Sequence, residues 1–466
     1  MRFSVGGGAG SVHFIGISGI GMSALARVLM QRGFRVSGSS DRRTALTDLL
    51  AAEGARVAIG HSPGHLRDAS TVVISSAIAR DNPELVAAHA RSLEVVHRGA
   101  LLAHLMSDRR GIAIAGTHGK TTTTAMVARV LEAGGLDPTV VVGGERMDTH
   151  TNARDGKGAW LVSEADESDL SFLDLRPEIA VVTNIENDHI ASDAEMPRML
   201  SAFERFTANV SAHGIAYFGI DESHSASLAG RERRARTRTF GFDPRADVRA
   251  TDPTYGGFGA RFSAVVDGSA LGEIVLGVPG AINVLDALPA IGIALELGIP
   301  FETIAASLAG FRGVRRRFEI LARTERMTLV DDYAHHPTAV AATIAAARAD
   351  FEGPIVVAFQ PHRYTRTQYL AGDFARALSA ADRVILTDVY AASEVPLPGV
   401  DATSIGAPLA ALGVDVAYVA SVDDLAAYLL EHAPLGALVL ALGAGSITGA
   451  AAQLAALLAP SGALVS

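Results

Sequence analysis

The chain has 466 residues, 49% of them hydrophobic and 6% aromatic, with no cysteine and a formal net charge of −10. That length allows two to four domains, and a composition rich in Ala, Gly and Val but poor in aromatics suits α/β layers. Disulfides and thiolate metal sites are excluded, no apolar stretch is long enough to span a membrane uninterrupted, the acidic balance argues against nucleic acid, and the N-terminus lacks the pattern of a secretory leader, so a cytoplasmic enzyme is expected.

The first block opens on an apolar run at 12–15, followed by Gly16-Ile17-Ser18-Gly19-Ile20-Gly21-Met22 and an amphipathic helix predicted over about 23–32. A second strand, predicted at 34–37, follows Gly33. This is a βαβ opening whose turn is spaced G-x-x-G-x-G, not the dinucleotide G-x-G-x-x-G. At the carboxyl end of a strand, Ser18, Gly19, Ile20, Gly21 and Met22 are candidates to cradle a nucleotide diphosphate; a close helix–strand packing turn is the alternative. A strand at 72–74 ends in Ser75 and Ser76, hydroxyls at the same sheet edge.

The second block carries the sharpest signal. Only two lysines, Lys120 and Lys157, occur among 40 basic residues, and Lys120 lies in Gly116-Thr117-His118-Gly119-Lys120-Thr121-Thr122. An apolar run at 111–115 precedes this loop and a predicted helix at 121–132 follows it. Glycines let backbone N–H groups close around phosphate oxygens, the helix N-terminus adds favourable potential, and a compact ammonium reaches the terminal phosphates. Thr121 is placed to bind magnesium. The glycine usual five positions before the lysine is replaced by Ile114, so the motif is a shortened phosphate-binding loop.

Strands predicted at 159–162 and 179–182 end in Ser163-Glu164-Ala165-Asp166-Glu167-Ser168-Asp169 and Thr183-Asn184-Ile185-Glu186-Asn187-Asp188-His189. Carboxylates placed just after a strand, beyond a phosphate loop, can bind metal; Glu164 is the first in its cluster, and His189 beside oxygen ligands suits a second divalent ion. Residues 241–278 alternate apolar with polar, predicting antiparallel strands appended to a parallel core, and 282–297 reads as a helix. Arg315-Arg316-Arg317 then marks a hinge that can carry cations over transferring phosphate.

The third block starts near residue 319, with strands at 329–330, 355–359, 383–387 and 438–441 alternating with Ala-rich helices. Asp331-Asp332 and His335-His336 follow one strand, and His362, Arg363 and Arg366 follow another. The former suit ribose hydroxyls and polar substrate groups; arginines suit carboxylates.

Taken in order, these clusters, with Thr151-Asn152-Ala153-Arg154 and Arg316-Arg317-Phe318-Glu319, resemble those of the Mur ligases over nearly the whole chain. Gly-Ile-Gly-Met, Asp-Asp-Tyr-x-His-His-Pro and Pro-His-Arg-Tyr-Thr-Arg point to the alanine-adding branch. The resemblance implies an α/β protein of three domains. These are a Rossmann-like UDP-sugar domain at 1–109, a P-loop ATPase at 110–317 with a mainly parallel sheet plus a small antiparallel one, and a Rossmann-like domain at 318–466 for nucleotide and amino acid. It implies ATP and Mg2+ as cofactors and UDP-N-acetylmuramic acid and L-alanine as substrates, joined through an acyl phosphate.

By the same resemblance, Lys120, His189, Arg316 and Arg317 are catalytic, and Thr121, Glu164 and His189 hold metal. ATP falls to Gly116 through Thr122 with Asn283 and Asp332. The substrates fall to Ser18, Gly19, Ile20, Gly21 and Met22, with Ser75, Ser76, Thr151, Asn152, Glu167, His335, His336, His362, Arg363 and Arg366. The chain departs from the family pattern at Ile282, usually His, at Asp286, usually Asn, and at Ser40 and Ala191, both usually Asp. It has no lysine after Lys157 to carry the carbamate other family members use. A ligase that recycles whole murein peptides, or a nucleotide-binding regulator without catalysis, are the competing readings.

Overall fold

The computed structural model describes residues 10–187, 195–392 and 394–459, and its strands form three sheets. The first holds five parallel strands in the spatial order Arg56–Ile59, Arg35–Ser40, Ser11–Ile15, Thr71–Ile74, Glu94–His97. The order reverses beside Ser11–Ile15, which opens a crevice at the carboxyl ends of that strand and Thr71–Ile74.

The second sheet has ten strands. Its parallel core runs Arg236–Gly241, Ile215–Gly219, Ile179–Val182, Arg110–Ala115, Trp160–Glu164, Thr139–Arg146. The antiparallel strands expected in 241–278 are present as Val248–Gly256, Gly259–Val266 and Ser269–Leu276. They continue this sheet through the pairing of Phe240 with Val248, so the core and the antiparallel part share one surface. The other edge is the antiparallel strand Thr151–Arg154, which follows Thr139–Arg146; neither strand was anticipated. The third sheet has six strands, parallel except for the antiparallel edge Glu319–Arg323 against Met327–Asp332.

Alternation along the central strand accounts for the layering. Ile112 and Ile114 pack on one face with the helices Lys120–Ala133 and Ala281–Glu296. Ala113 and Ala115 face the opposite way, into a core shared with the helix Ile20–Gln31 of the first block. Strand Ile355–Phe359 divides likewise, Val357 and Phe359 to one core and Val356 and Ala358 to the other. Strands buried on both faces read as continuous apolar runs, which is why they stood out in the sequence.

Two boundaries bear on the site. The first helix begins at Ile20, earlier than expected, because Gly19 is its N-cap; Ile20, Gly21 and Met22 are thus its first turn. The strand expected at 159–162 runs on to Glu164, so that carboxylate ends a strand and its direction is set by the pleat.

Candidate active site

Gly116 and Gly119 turn the chain from strand Arg110–Ala115 into helix Lys120–Ala133 with φ of 132° and 83°, values that L side chains rarely adopt. Space imposes the same choice: a Cβ would lie 2.0 Å from Thr183 Oγ1 at Gly116 and 2.2 Å from Asp286 Oδ1 at Gly119. Thr183 and Asn184 in turn pin the loop, donating to the His118 carbonyl at 2.6 and 3.1 Å.

Lys120 folds back into this loop, with Nζ donating to Glu167 Oε1 at 2.8 Å, to Thr117 O at 3.1 Å and to Gly116 O. Burial disfavours the ammonium, yet the surrounding Glu167, Asp166 and Glu164 outweigh it and hold its pKa above the usual lysine value. Glu164 is pushed up by burial, against the N–H of Gly143 and the charges of Lys120 and Arg317. Thr121 faces Glu164, and its hydroxyl accepts from Arg317 Nη2 at 3.3 Å. A hydroxyl and a buried carboxylate side by side form an all-oxygen donor set that fits Mg2+.

The three hinge arginines divide their work. Arg315 Nε reaches Glu145 Oε1 at 2.9 Å, Arg316 Nη2 donates to Gly443 O at 2.6 Å, and Arg317 enters the phosphate loop. Arg316 and Phe318 take φ of 60° and 48°, so the chain doubles tightly where it leaves the central sheet. Asp332 receives the N–H groups of Phe318 and Ala334, both at 2.7 Å, and burial raises its pKa.

Lys120, Thr121 and Asp332 line one cleft of about 730 Å³, which also takes in Ile20, Gly21 and Arg98 from the first block and Tyr333, His335 and His336 from the third; Gly116 and Glu167 lie outside its lining. The volume suits a small-molecule site. Gly119, Thr117, His118, Thr122, Asn283, Glu164, Arg316 and Arg317 line it as well. Asn283 Nδ2 donates to Pro279 O at 2.6 Å.

Other expected contacts fall elsewhere. Met22 is 2% exposed in the core, since the early helix start turns its side chain inward. Asn152 is 1% exposed, donating to Ile20 O at 2.9 Å and Ser23 Oγ at 3.0 Å, and so fastens the first helix to the central sheet. Thr151 Oγ1 donates to its neighbour Ala153 O at 3.0 Å. Glu167 lies beneath the loop as the partner of Lys120. Ser18 pairs with Ser40 at 2.7 Å, Ser76 reaches Asp169 Oδ2 at 3.3 Å, and Ser75 shares that turn.

His362, Arg363 and Arg366 lie outside the cleft lining, connected to it through the ring of His362, 5.6 Å from that of His335. Arg366 Nη1 sits 3.1 Å from His362 Nδ1. His189 and Ala191 lie outside the described residues.

Sequence reasoning missed Arg98, whose Nη2 binds Asp166 and, at 2.9 Å, Asp169, tying the acidic cluster to the first block. It also missed the Gly143 N–H that fixes Glu164. An arginine opening a helix right after a strand was the available signal for Arg98; no local pattern marks Gly143.

Family models match three consecutive stretches: "Mur ligase family, catalytic domain" over 11–110, "Mur ligase middle domain" over 114–294 and "Mur ligase, glutamate ligase domain" over 316–445. A UDP-N-acetylmuramate–L-alanine ligase of Acidithiobacillus ferrooxidans is 48% identical over 448 residues, 95% of this chain and 96% of that one. The crystal structure of the UDP-N-acetylmuramate-alanine ligase from Thermotoga maritima matches with a TM-score of 0.82 at 30% identity, covering 96% of this chain and 98% of that one. A murein peptide ligase from Psychrobacter arcticus, at TM-score 0.73 and 22% identity over 96% of this chain and 98% of that one, shares the fold.

Proposed function

The chain belongs to the Mur ligase family, and on that premise we propose that it joins L-alanine to the lactyl carboxylate of UDP-N-acetylmuramic acid, converting ATP to ADP and phosphate. The observation that supports this reading most is the cleft itself. It gathers a phosphate loop, an oxygen donor pair and hinge cations where strand ends of three sheets meet. The division into a UDP-sugar domain at 1–109, an ATPase at 110–317 and an amino-acid domain at 318–466 belongs to the same proposal.

A carboxylate does not react with an amine until a better leaving group replaces its oxygen. Phosphorylation supplies one: the lactyl oxygen attacks the γ-phosphorus and ADP leaves. The alanine nitrogen then attacks the acyl carbon, phosphate departs, and the amine proton is released. Gly116 to Thr122 cradle the phosphates, and Lys120 exchanges Glu167 for phosphate oxygens. Thr121 and Glu164 would hold Mg2+, which neutralises charge on the transferring group. Arg317, already on Thr121, and Arg316 beside it add positive charge where the transition state concentrates negative charge.

Asn283 and Asp332 hold the nucleotide by proposal, and His335, His362, Arg363 and Arg366 orient the amino acid. The turn at Gly16–Gly21 with Ser75 and Ser76 takes the UDP-sugar. His189 completes the metal ligands. No helix among the described residues is long and apolar enough to cross a membrane, and a cytoplasmic location goes with the use of ATP and a UDP-sugar.

The test is ADP release with ATP, Mg2+ and UDP-N-acetylmuramic acid, offered L-Ala, Gly, L-Ser or the murein tripeptide. Release that depends on L-Ala is expected. Dependence on the tripeptide alone, or no turnover alongside intact ATP binding, would overturn the reading.

A further inference from the structure

We propose that His118, Glu186 and His336 form a binding site for one transition-type divalent cation, Zn2+ in class, joining the phosphate loop to the third sheet. The three come from separate elements: His118 from the phosphate loop, Glu186 from the segment after strand Ile179–Val182, and His336 from the N-cap of helix Pro337–Asp350. One ligand atom from each lies within 4.8 Å of the others. His118 Nε2 and His336 Nδ1 stand 3.5 and 3.8 Å from the same carboxylate oxygen, Glu186 Oε2. Around a tetrahedral zinc with ordinary bond lengths, ligand atoms are about 3.4 Å apart. The two distances to Glu186 therefore need only a few tenths of an ångström of contraction, while the two imidazole nitrogens, within 4.8 Å of each other, close by at most about 1.4 Å through side-chain rotation.

The proton arrangement points the same way. His336 Nε2 is 3.1 Å from the carbonyl oxygen of Asn187, so that nitrogen carries the hydrogen. In the neutral ring the lone pair is then on Nδ1, which faces Glu186. A ligating histidine whose other nitrogen donates to a backbone carbonyl is the usual outer-shell arrangement of metal sites. His118 is nine-tenths buried, and its Nε2 has no hydrogen-bond partner among the described residues. Glu186 is anchored by the Thr338 hydroxyl, which donates to its Oε2 at 2.5 Å.

Two imidazoles and one carboxylate discriminate against Mg2+, which prefers oxygen and dehydrates reluctantly. The site is thus distinct in chemistry from the Thr121–Glu164 pair. The inference does not depend on which amino acid the enzyme adds.

The experiment is calorimetric titration of the nucleotide-free full chain with Zn2+ in millimolar Mg2+, with Co2+ absorption as a spectroscopic probe. One equivalent of Zn2+ and a four- or five-coordinate Co2+ spectrum are expected. Glu186→Gln and His336→Ala, shown folded by circular dichroism, should each weaken binding by about a hundredfold. His118→Gln provides the same test should either fail to fold. Glu164→Gln and the surface variant His150→Ala should leave the equivalent in place. Wild-type affinity in the folded ligand variants, an octahedral Co2+ spectrum, no stoichiometric uptake, or loss of uptake in Glu164→Gln would each overturn the proposal.

Discussion

Replacing Asp286 by asparagine tests the electrostatics under the phosphate loop. Asp286 is 5% exposed on helix Ala281–Glu296, accepts from Thr123 Oγ1 at 3.2 Å and backs directly onto Gly119. Burial drives its pKa from 3.8 up to about 8, and Thr123 and Arg317 recover only part of the difference. At pH 7 the folded protein therefore carries it neutral, whereas the unfolded chain ionises it. Between about pH 4 and pH 8 the native state binds the extra proton, so stability falls as pH rises through that window and is level on either side.

At about 1.4 kcal/mol per pKa unit the ceiling over the window is about 6 kcal/mol; with relaxation and an effective dielectric near 20, about 2 kcal/mol is the figure to test. Asparagine keeps the shape and the acceptor for Thr123 but has no proton to lose. Differential scanning calorimetry from pH 4 to pH 9 should show Asp286→Asn melting about 4–8 °C above wild type at pH 8, with the gap closing toward pH 4. A gap of constant size across pH, or a less stable variant at pH 8, would refute the buried neutral carboxyl.

Lys120→Arg keeps the charge but should reduce turnover by about a hundredfold or more, because a planar guanidinium does not fit the cradle; near-normal ADP release would show the loop misassigned. Arg317→Ala should lower kcat by about 10²–10³ with a smaller change in KM for ATP, read by steady-state kinetics. Asn152→Ala removes the acceptor of buried Arg27 Nη1 and one of the donors to Ile20 O, and should lower stability by about 1–3 kcal/mol in urea unfolding. Glu84, which burial alone would raise, is instead lowered from 4.5 to about 2 by His13, Ser39 and His61. Its stabilisation, about 3 kcal/mol, is present above pH 4.5 and lost as pH falls toward 2; Glu84→Gln should flatten that acid limb of the melting curve.

Much of the fold was legible because its signals are local. Parallel strands buried on both faces read as apolar runs at 111–115, 179–182 and 355–359, and glycines marked the strand-to-helix turns. The hairpin Thr139–Arg146 with Thr151–Arg154 escaped because Gly143 and Gly144 interrupt the first strand's apolar run and the second, at the sheet edge, is short and polar, and with it went the role of Asn152. Met22 was misplaced for a related reason: a one-turn shift in where a helix starts changes which side chains face a loop.

By itself the sequence determined the family, the phosphate loop and its lysine, and the strand-end placement of nearly every candidate, because spacing within a few residues decides a turn and periodicity decides a face. Only the tertiary structure decided which distant groups meet. Arg317 reaches Thr121 across 196 positions of chain, and His336 faces Glu186. It also decided that Asp286 is neutral while Glu84 is ionised. Two buried carboxyls of similar intrinsic acidity part company according to what surrounds them, and neighbours brought from distant stretches of chain are written in no local pattern.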